Sequence, residues 1–167
     1  LTGPDTRDEN SVGDLLTRHP KIALASFTGS IATGKRVFAN SAPHLARMVL
    51  ELGGNDAAIV LADADIDSAA LGVFEAGMIN CGQICCGIKR VFVDGSIYEA
   101  FVQKVVQLAK VKQLAPLNNR TQFERVAELV NDAKKFGAKI LTGGCKSHRD
   151  GFFYEPTIVT NIAEGVR

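Results

Sequence analysis

Ile22-Ala23-Leu24-Ala25-Ser26-Phe27-Thr28-Gly29-Ser30-Ile31-Ala32-Thr33-Gly34-Lys35-Arg36 is the stretch that decides the fold class. Its first six residues are an apolar run of strand length, Thr28-Gly29-Ser30 carries turn chemistry, and residues 31–39 are expected to be helical. Strand, glycine turn, helix is the building unit of α/β folds. Such a helix start also presents free backbone N–H groups and a favourable dipole to a phosphate or pyrophosphate.

The pattern continues on both sides. Upstream, Val12, Leu15 and Leu16 lie at helical spacing within residues 11–18, and His19-Pro20 ends that helix because proline disfavours helix at the residue before it. Downstream, residues 48–52 and 57–61 are two further strand-length runs, separated by the turn residues Gly53-Gly54-Asn55-Asp56. After Asp65, the positions Leu71, Phe74, Met78 and Cys81 share one helical face, and residues 91–93 read as a strand closed by Asp94-Gly95. Ser96 with Glu99, and Thr121 with Glu124, match the capping box in which hydroxyl and carboxylate satisfy orphaned N–H groups. Ile97, Phe101, Val105 and Leu108 form the stripe of one following helix; Phe123, Val126 and Val130 form that of the other, which ends at Lys134, Lys135 and Gly137. Residues 138–141 read as a strand broken by Thr142-Gly143-Gly144. The alternation implies an α/β architecture with a largely parallel sheet. The Gly-Gly turn marks a boundary near residues 51–54.

Composition narrows the partners. The chain has 167 residues, 46% hydrophobic and 22% charged, with 19 basic against 18 acidic side chains and a formal charge of +1. That suits one or two ordinary globular units, and without a basic block it gives a nucleic acid no electrostatic footing. No apolar run reaches the roughly 18 to 20 residues of a membrane helix and the first twenty residues are not signal-like, so a soluble, cytoplasmic protein is expected. Four cysteines, Cys81, Cys85, Cys86 and Cys145, make no small-domain disulfide framework and read as reduced thiols. The chain begins at Leu1, which suggests a truncated start.

Two side chains carry the chemistry. Glu51 in Glu51-Leu52-Gly53-Gly54 and Cys85 in Gly82-Gln83-Ile84-Cys85 are 34 positions apart, each beside glycines that let a substrate or cofactor approach the backbone. A thiolate is the most nucleophilic side chain near neutral pH, and a cysteine just before a helix would gain from its N–H groups. A carboxylate at the end of an apolar run is a candidate general base. Each also has a plain structural reading, as an inert core thiol and as a surface glutamate at a strand end. The string Gly29 to Arg36 nearly reproduces a P-loop, but Arg36 stands where a P-loop NTPase needs a metal-holding Ser or Thr. Cys81, Cys85, Cys145 and His148 can be drawn as four zinc ligands, although a gap of four between Cys81 and Cys85 lacks the tight turn of a zinc knuckle. Asn119-Arg120-Thr121 fits a glycosylation acceptor without a secretory signal to use it.

Taken together, Phe27-Thr28-Gly29-Ser30 with Gly34, Glu51-Leu52-Gly53-Gly54, and Gly82-Gln83-Ile84-Cys85 resemble the NAD(P)-dependent aldehyde dehydrogenase superfamily in order and spacing. Asn55-Asp56-Ala57-Ala58-Ile59-Val60, Asp63-Ala64-Asp65, Tyr98, Pro116-Leu117-Asn118-Asn119, and Gly151-Phe152-Phe153 before Pro156-Thr157 follow the same family. The resemblance implies Rossmann-like parallel sheets in a partial aldehyde dehydrogenase fold. Residues 1–50 would be the C-terminal part of the cofactor-binding domain and 51–167 the N-terminal part of the catalytic domain. It implies Cys85 as nucleophile, Glu51 as the base that activates water, and Gly29, Ser30, Gly34, Leu52 and Gly53 as contacts to NAD or NADP. Metal is not part of that site. An aldehyde substrate and a homo-oligomer in the full-length family follow, with no nucleic-acid or membrane partner.

The chain departs from the family pattern as well. The first dinucleotide-binding strands, an oxyanion asparagine and a cofactor-contacting lysine are expected upstream of Leu1, and a Glu-x-Phe-Gly-Pro segment beyond Arg167, so an internal fragment is implied. Between Lys110 and Pro116 the connection is about ten residues shorter than the family pattern, and Ala115 replaces a usual glycine. The rival readings are a non-catalytic remnant that associates with dehydrogenase subunits, and a Cys/His zinc module.

Overall fold

The computed structural model describes residues 11–162. The chain divides into two compact units between Gly54 and Asn55. The division falls after Gly53-Gly54, within an irregular connection of residues 52–55, and the strand that ends in Glu51 is paired within the first unit.

In the first unit, α1 (Val12–Arg18) leads to β1 (Leu24–Thr28), α2 (Ile31–Ser41), a 3-10 turn (Ala42–His44) and β2 (Arg47–Glu51). Ser11 caps α1 by accepting from the Asp14 N–H, and the helix stops at Arg18 with extended His19 before Pro20, as the proline rule requires. β1 and β2 run parallel in register from Leu24 opposite Arg47 to Thr28 opposite Glu51. Leu45, at φ 54°, turns the chain from α2 into β2.

One polar cluster ties α1 to α2. Asp14 is buried at 7% exposure, and its carboxylate accepts from Ser11 Oγ at 2.6 Å, Arg36 Nε at 3.0 Å, Arg36 Nη2 at 2.6 Å and Asn40 Nδ2 at 2.6 Å. A carboxylate can be buried at this cost only when its oxygens are saturated by such donors. The Ser11 hydroxyl bond, then Asn40 and Arg36, hold its carboxyl below the usual aspartate range against the opposing effect of burial.

The second unit contains β3 (Asp56–Val60), α3 (Ile66–Met78), β4 (Ile88–Val93), α4 (Tyr98–Val111), α5 (Arg120–Lys135), β5 (Lys139–Thr142) and β6 (Ile158–Thr160). β3 and β4 are parallel, with a register shift between Asp56 and Ala57, whereas β5 and β6 are antiparallel. The expectation of largely parallel pairing thus holds for two of the three strand pairs. β6 was not foreseen: Ile158–Thr160 has strand composition, but its partner is β5, on the far side of a loop of residues 143–157.

The core is Val60 of β3, Ala70 and Phe74 of α3, and Phe101, Val105 and Ala109 of α4, with Ile97, Leu108 and Ile158 packed against it. Phe101 and Val105 are the expected stripe, spaced by one helical turn. Ala70 is fully buried, and its small side chain lets α3 and α4 approach closely.

Both capping boxes fail. α4 begins at Tyr98 with Ile97 as its cap, and Ser96 instead donates its hydroxyl to Asp94 Oδ1 at 2.6 Å. α5 is capped by Asn119, whose side chain accepts from the Gln122 N–H at 2.9 Å, so Thr121 lies inside the helix. In each case an Asx side chain just upstream has captured the turn. Asp and Asn accept from backbone N–H groups at least as well as the hydroxyls that matched the motif. The helix through Phe74 and Met78 ends before Cys81, which is part of a turn and not of the helical face.

Candidate functional site

In the first unit, Gly29 and Glu51 meet at the ends of paired strands, and Ser30 follows as the chain enters α2. The Gly29 N–H donates to the Glu51 carbonyl at 3.0 Å, continuing the β1–β2 ladder by one bond. Ser30 is the N-cap of α2, accepting from the Thr33 N–H at 3.2 Å with its hydroxyl 2.9 Å from Thr33 Oγ1. The first turn of α2 has no acidic residue, and Ser30, Ile31, Ala32 and Thr33 are exposed. An exposed helix start with a hydroxyl cap and no carboxylate in its first turn has the donor chemistry for a pyrophosphate.

Gly34 and Leu52 interact directly. A Cβ on Gly34 would stand 2.7 Å from Leu52 Cδ2, so the buried face of α2 is cut away to receive that leucine. A Cβ on Gly29 would stand 2.6 Å from the Phe27 ring. These glycines shape the strand-to-helix turn by close packing, while Gly53 has open space around it. The Glu51 residue is exposed at the strand end.

Cys85 belongs to the second unit. It is exposed, as is Cys86, and both thiols are free. A helix start was expected after Cys85. A turn closed by the Gly87 N–H on the Ile84 carbonyl at 3.4 Å is found instead, and it leads into β4. Gly87 and Ile88 carry the chain into an extended strand paired with β3, which outweighs local helix preference.

The approach to Cys85 is unusual. Asn80, Cys81 and Gly82 have φ of 48°, 60° and 75°, three successive residues in the left-handed region. Non-glycine residues avoid that region because Cβ crowds the following carbonyl, at roughly 1–2 kcal/mol each. The turn is held by a reciprocal set of bonds. Asn80 Nδ2 donates to the Gln83 carbonyl at 3.1 Å, and the Asn80 carbonyl accepts from Gln83 N and Gln83 Nε2, each at 3.1 Å. The other end of the Gln83 amide, Oε1, accepts from the Asn118 N–H at 2.8 Å, and Cys81 Sγ donates to the Ala115 carbonyl at 3.3 Å. The short connection between α4 and α5 therefore lies against the cysteine turn. Asn80 and Gly82, flanking Cys81, are residue types that favour the left-handed region and so a signal in the sequence. The long-range bonds to Ala115 and Asn118 carry none.

Among the described residues no group of three or more His, Cys, Asp or Glu is placed to hold a metal ion. The zinc set of Cys81, Cys85, Cys145 and His148 is thus not assembled: Cys81 bonds a carbonyl, and Cys145 lies in the loop before the Lys146–Tyr154 bridge. Asn119 of the glycosylation string spends its side chain as the α5 cap. No helix among the described residues is long and apolar enough to cross a membrane.

A sequence profile of the aldehyde dehydrogenase family matches residues 6–167. The chain is 35% identical to the D-glyceraldehyde dehydrogenase (NADP(+)) of Thermoplasma acidophilum, covering 91% of this chain and 34% of that one. It is 36% identical to the human 4-trimethylaminobutyraldehyde dehydrogenase, covering 92% and 34%. Among solved structures, lactaldehyde dehydrogenase from Escherichia coli superposes with a TM-score of 0.91 at 32% identity, over 95% of this chain and 35% of that one. An NAD+ complex of aldehyde dehydrogenase from Bacillus cereus does so at 0.89 and 34%, over 92% and 33%. The chain spans about a third of the length of these relatives.

Proposed function

The chain belongs to the aldehyde dehydrogenase family, and on that premise we propose that it carries the nucleophile and the base of a nicotinamide-dependent oxidation of an aldehyde to a carboxylic acid. The Cys85 thiolate adds to the aldehyde carbon, giving a thiohemiacetal; that carbon then loses hydride and is left as a thioester on sulfur. The backbone N–H of Cys85 is one donor toward the oxygen on which charge develops. Glu51 takes a proton from water as it attacks the thioester, which releases the acid and returns the thiolate.

NAD or NADP, when bound, supplies the hydride acceptor. The start of α2 would hold its pyrophosphate, with Gly29 and Ser30 at the turn, Gly34 and Leu52 beneath, and Gly53 open to close approach. In this reading the first unit is part of a cofactor-binding domain and the second part of a catalytic domain, within a homo-oligomer of the complete protein in the cytoplasm. The observation that carries the reading is the family match along residues 6–167, which includes both Glu51 and the exposed Cys85.

The test is substitution in a protein containing this chain. Cys85→Ala should abolish NAD(P)-dependent aldehyde oxidation and ester hydrolysis together, a loss of at least roughly 10³-fold. Glu51→Gln should slow thioester release by about 10²–10³-fold, seen as an acylated protein that accumulates in the mass spectrum. Undiminished ester hydrolysis by Cys85→Ala refutes the nucleophile.

A further inference from the structure

We propose that Gln83 is a positioning residue for Cys85, acting through a left-handed turn that would not persist without it. The inference rests on the reading of Cys85 as the nucleophile. Three successive left-handed residues, two of them with side chains, are held only where the surroundings over-determine them, and such strain gathers at functional turns. Here the surroundings are largely one amide. Gln83 Nε2 bonds back to the Asn80 carbonyl at the start of the turn, and Gln83 Oε1 bonds forward to the Asn118 N–H, 35 positions away.

Both ends of the amide are used, so its orientation is determined: the nitrogen end faces a carbonyl and the oxygen end faces an N–H. Asn80 closes the ring from the other side through its own side chain to the Gln83 carbonyl. Cys81 adds a second tether, to the Ala115 carbonyl of the same connection. Gln83 precedes Cys85 by two residues, with Ile84 beginning the turn that contains it. Release of the amide lets Asn80 and Cys81 return to right-handed geometry, and the chain direction into Ile84 and Cys85 changes with them. The connection from α4 to α5 is thereby a part of the nucleophile's mounting, and its length in this chain matters to Cys85.

The experiment uses the whole chain and 4-nitrophenyl acetate, with acetylation of each cysteine followed by fragment-ion mass spectrometry. Cys145, free and exposed in the same molecule, is the internal standard, so general loosening of the fold moves both thiols and cancels in the ratio. In the unsubstituted chain Cys85 should acetylate well ahead of Cys145; equal rates would remove the nucleophile reading itself. In Gln83→Ala the Cys85 to Cys145 ratio should fall roughly tenfold. Gln83→Glu keeps the acceptor for Asn118 but loses the donor to Asn80, and should fall between the two. An unchanged ratio in folded Gln83→Ala overturns the proposal. A measurement on the unsubstituted chain stands independently of both variants and of the nucleophile reading. The Asn118 amide, on an exposed residue, should be protected from hydrogen exchange by Gln83, and free exchange there overturns the proposal as well.

Discussion

The turn that opens α2 and the turn that leads to Cys85 each combine a glycine with a polar side chain, yet they are stabilised at different ranges. Ser30 caps a helix from three residues away, and Gly29 continues a strand ladder, so the first turn follows from local rules once β1 and β2 are paired. The Asn80–Gln83 turn runs against backbone preference and is held by an amide whose partner is 35 positions distant. A regular helix start can present backbone donors with little outside support. A left-handed approach to a thiol needs support from another part of the fold, and this is a reason to expect the thiol's reactivity to be the more sensitive of the two to distant substitutions.

The difference can be broken from either side. The largest stability effect is expected for Asp14→Ala, which leaves the Arg36 and Asn40 donors and the Ser11 hydroxyl without their shared acceptor; the first unit should lose about 2 kcal/mol at neutral pH. Amide exchange in α1 and α2 measures it unit by unit. The folded carboxyl titrates below its unfolded counterpart, so its stabilisation is present above the unfolded value and drains away as pH falls through the folded one. The gap between Asp14→Ala and the unsubstituted chain should therefore shrink below the ordinary aspartate range.

Gly82→Ala comes next. At φ 75° a Cβ is strained, and it would stand 3.4 Å from the Gly77 carbonyl oxygen, so about 1–2 kcal/mol should be lost from the second unit by the same exchange measurement. Ser30→Ala should cost about 1 kcal/mol, confined to the start of α2, and a loss spread over the whole unit would contradict a purely local cap. The smallest effect has the opposite sign. Gly13 lies within α1 with open space where a Cβ would go, and Gly13→Ala should stabilise that helix by roughly 0.5–1 kcal/mol.

What could be read in advance follows the same division. The helix ending before Pro20, the strands of the first unit, the Phe101 and Val105 stripe and the alternation of strand and helix all rest on periodicity and on residues within a turn of one another. Glu51 and Cys85 stood out because each is a reactive type beside glycines. The failures have a common cause. Ser96 and Thr121 matched a capping motif, but Asp94 and Asn119 were better placed to accept, and only the backbone path decides between two competent acceptors. Cys81 continued the apolar spacing of α3 although the helix stopped at Met78, because spacing records a face and not where the chain leaves it.

The order of residues alone determined the α/β class and the family, since each depends on residue type and short-range period, and it singled out Glu51 and Cys85 as the candidates for chemistry. The packing of Leu52 into the space left by Gly34, the antiparallel pairing of β5 with β6, and the bond from the Asn118 N–H to Gln83 Oε1 beside the left-handed turn were decided only when the chain was folded. Each is a contact between segments that are far apart along the chain, and its free energy arises only when tertiary structure brings them together.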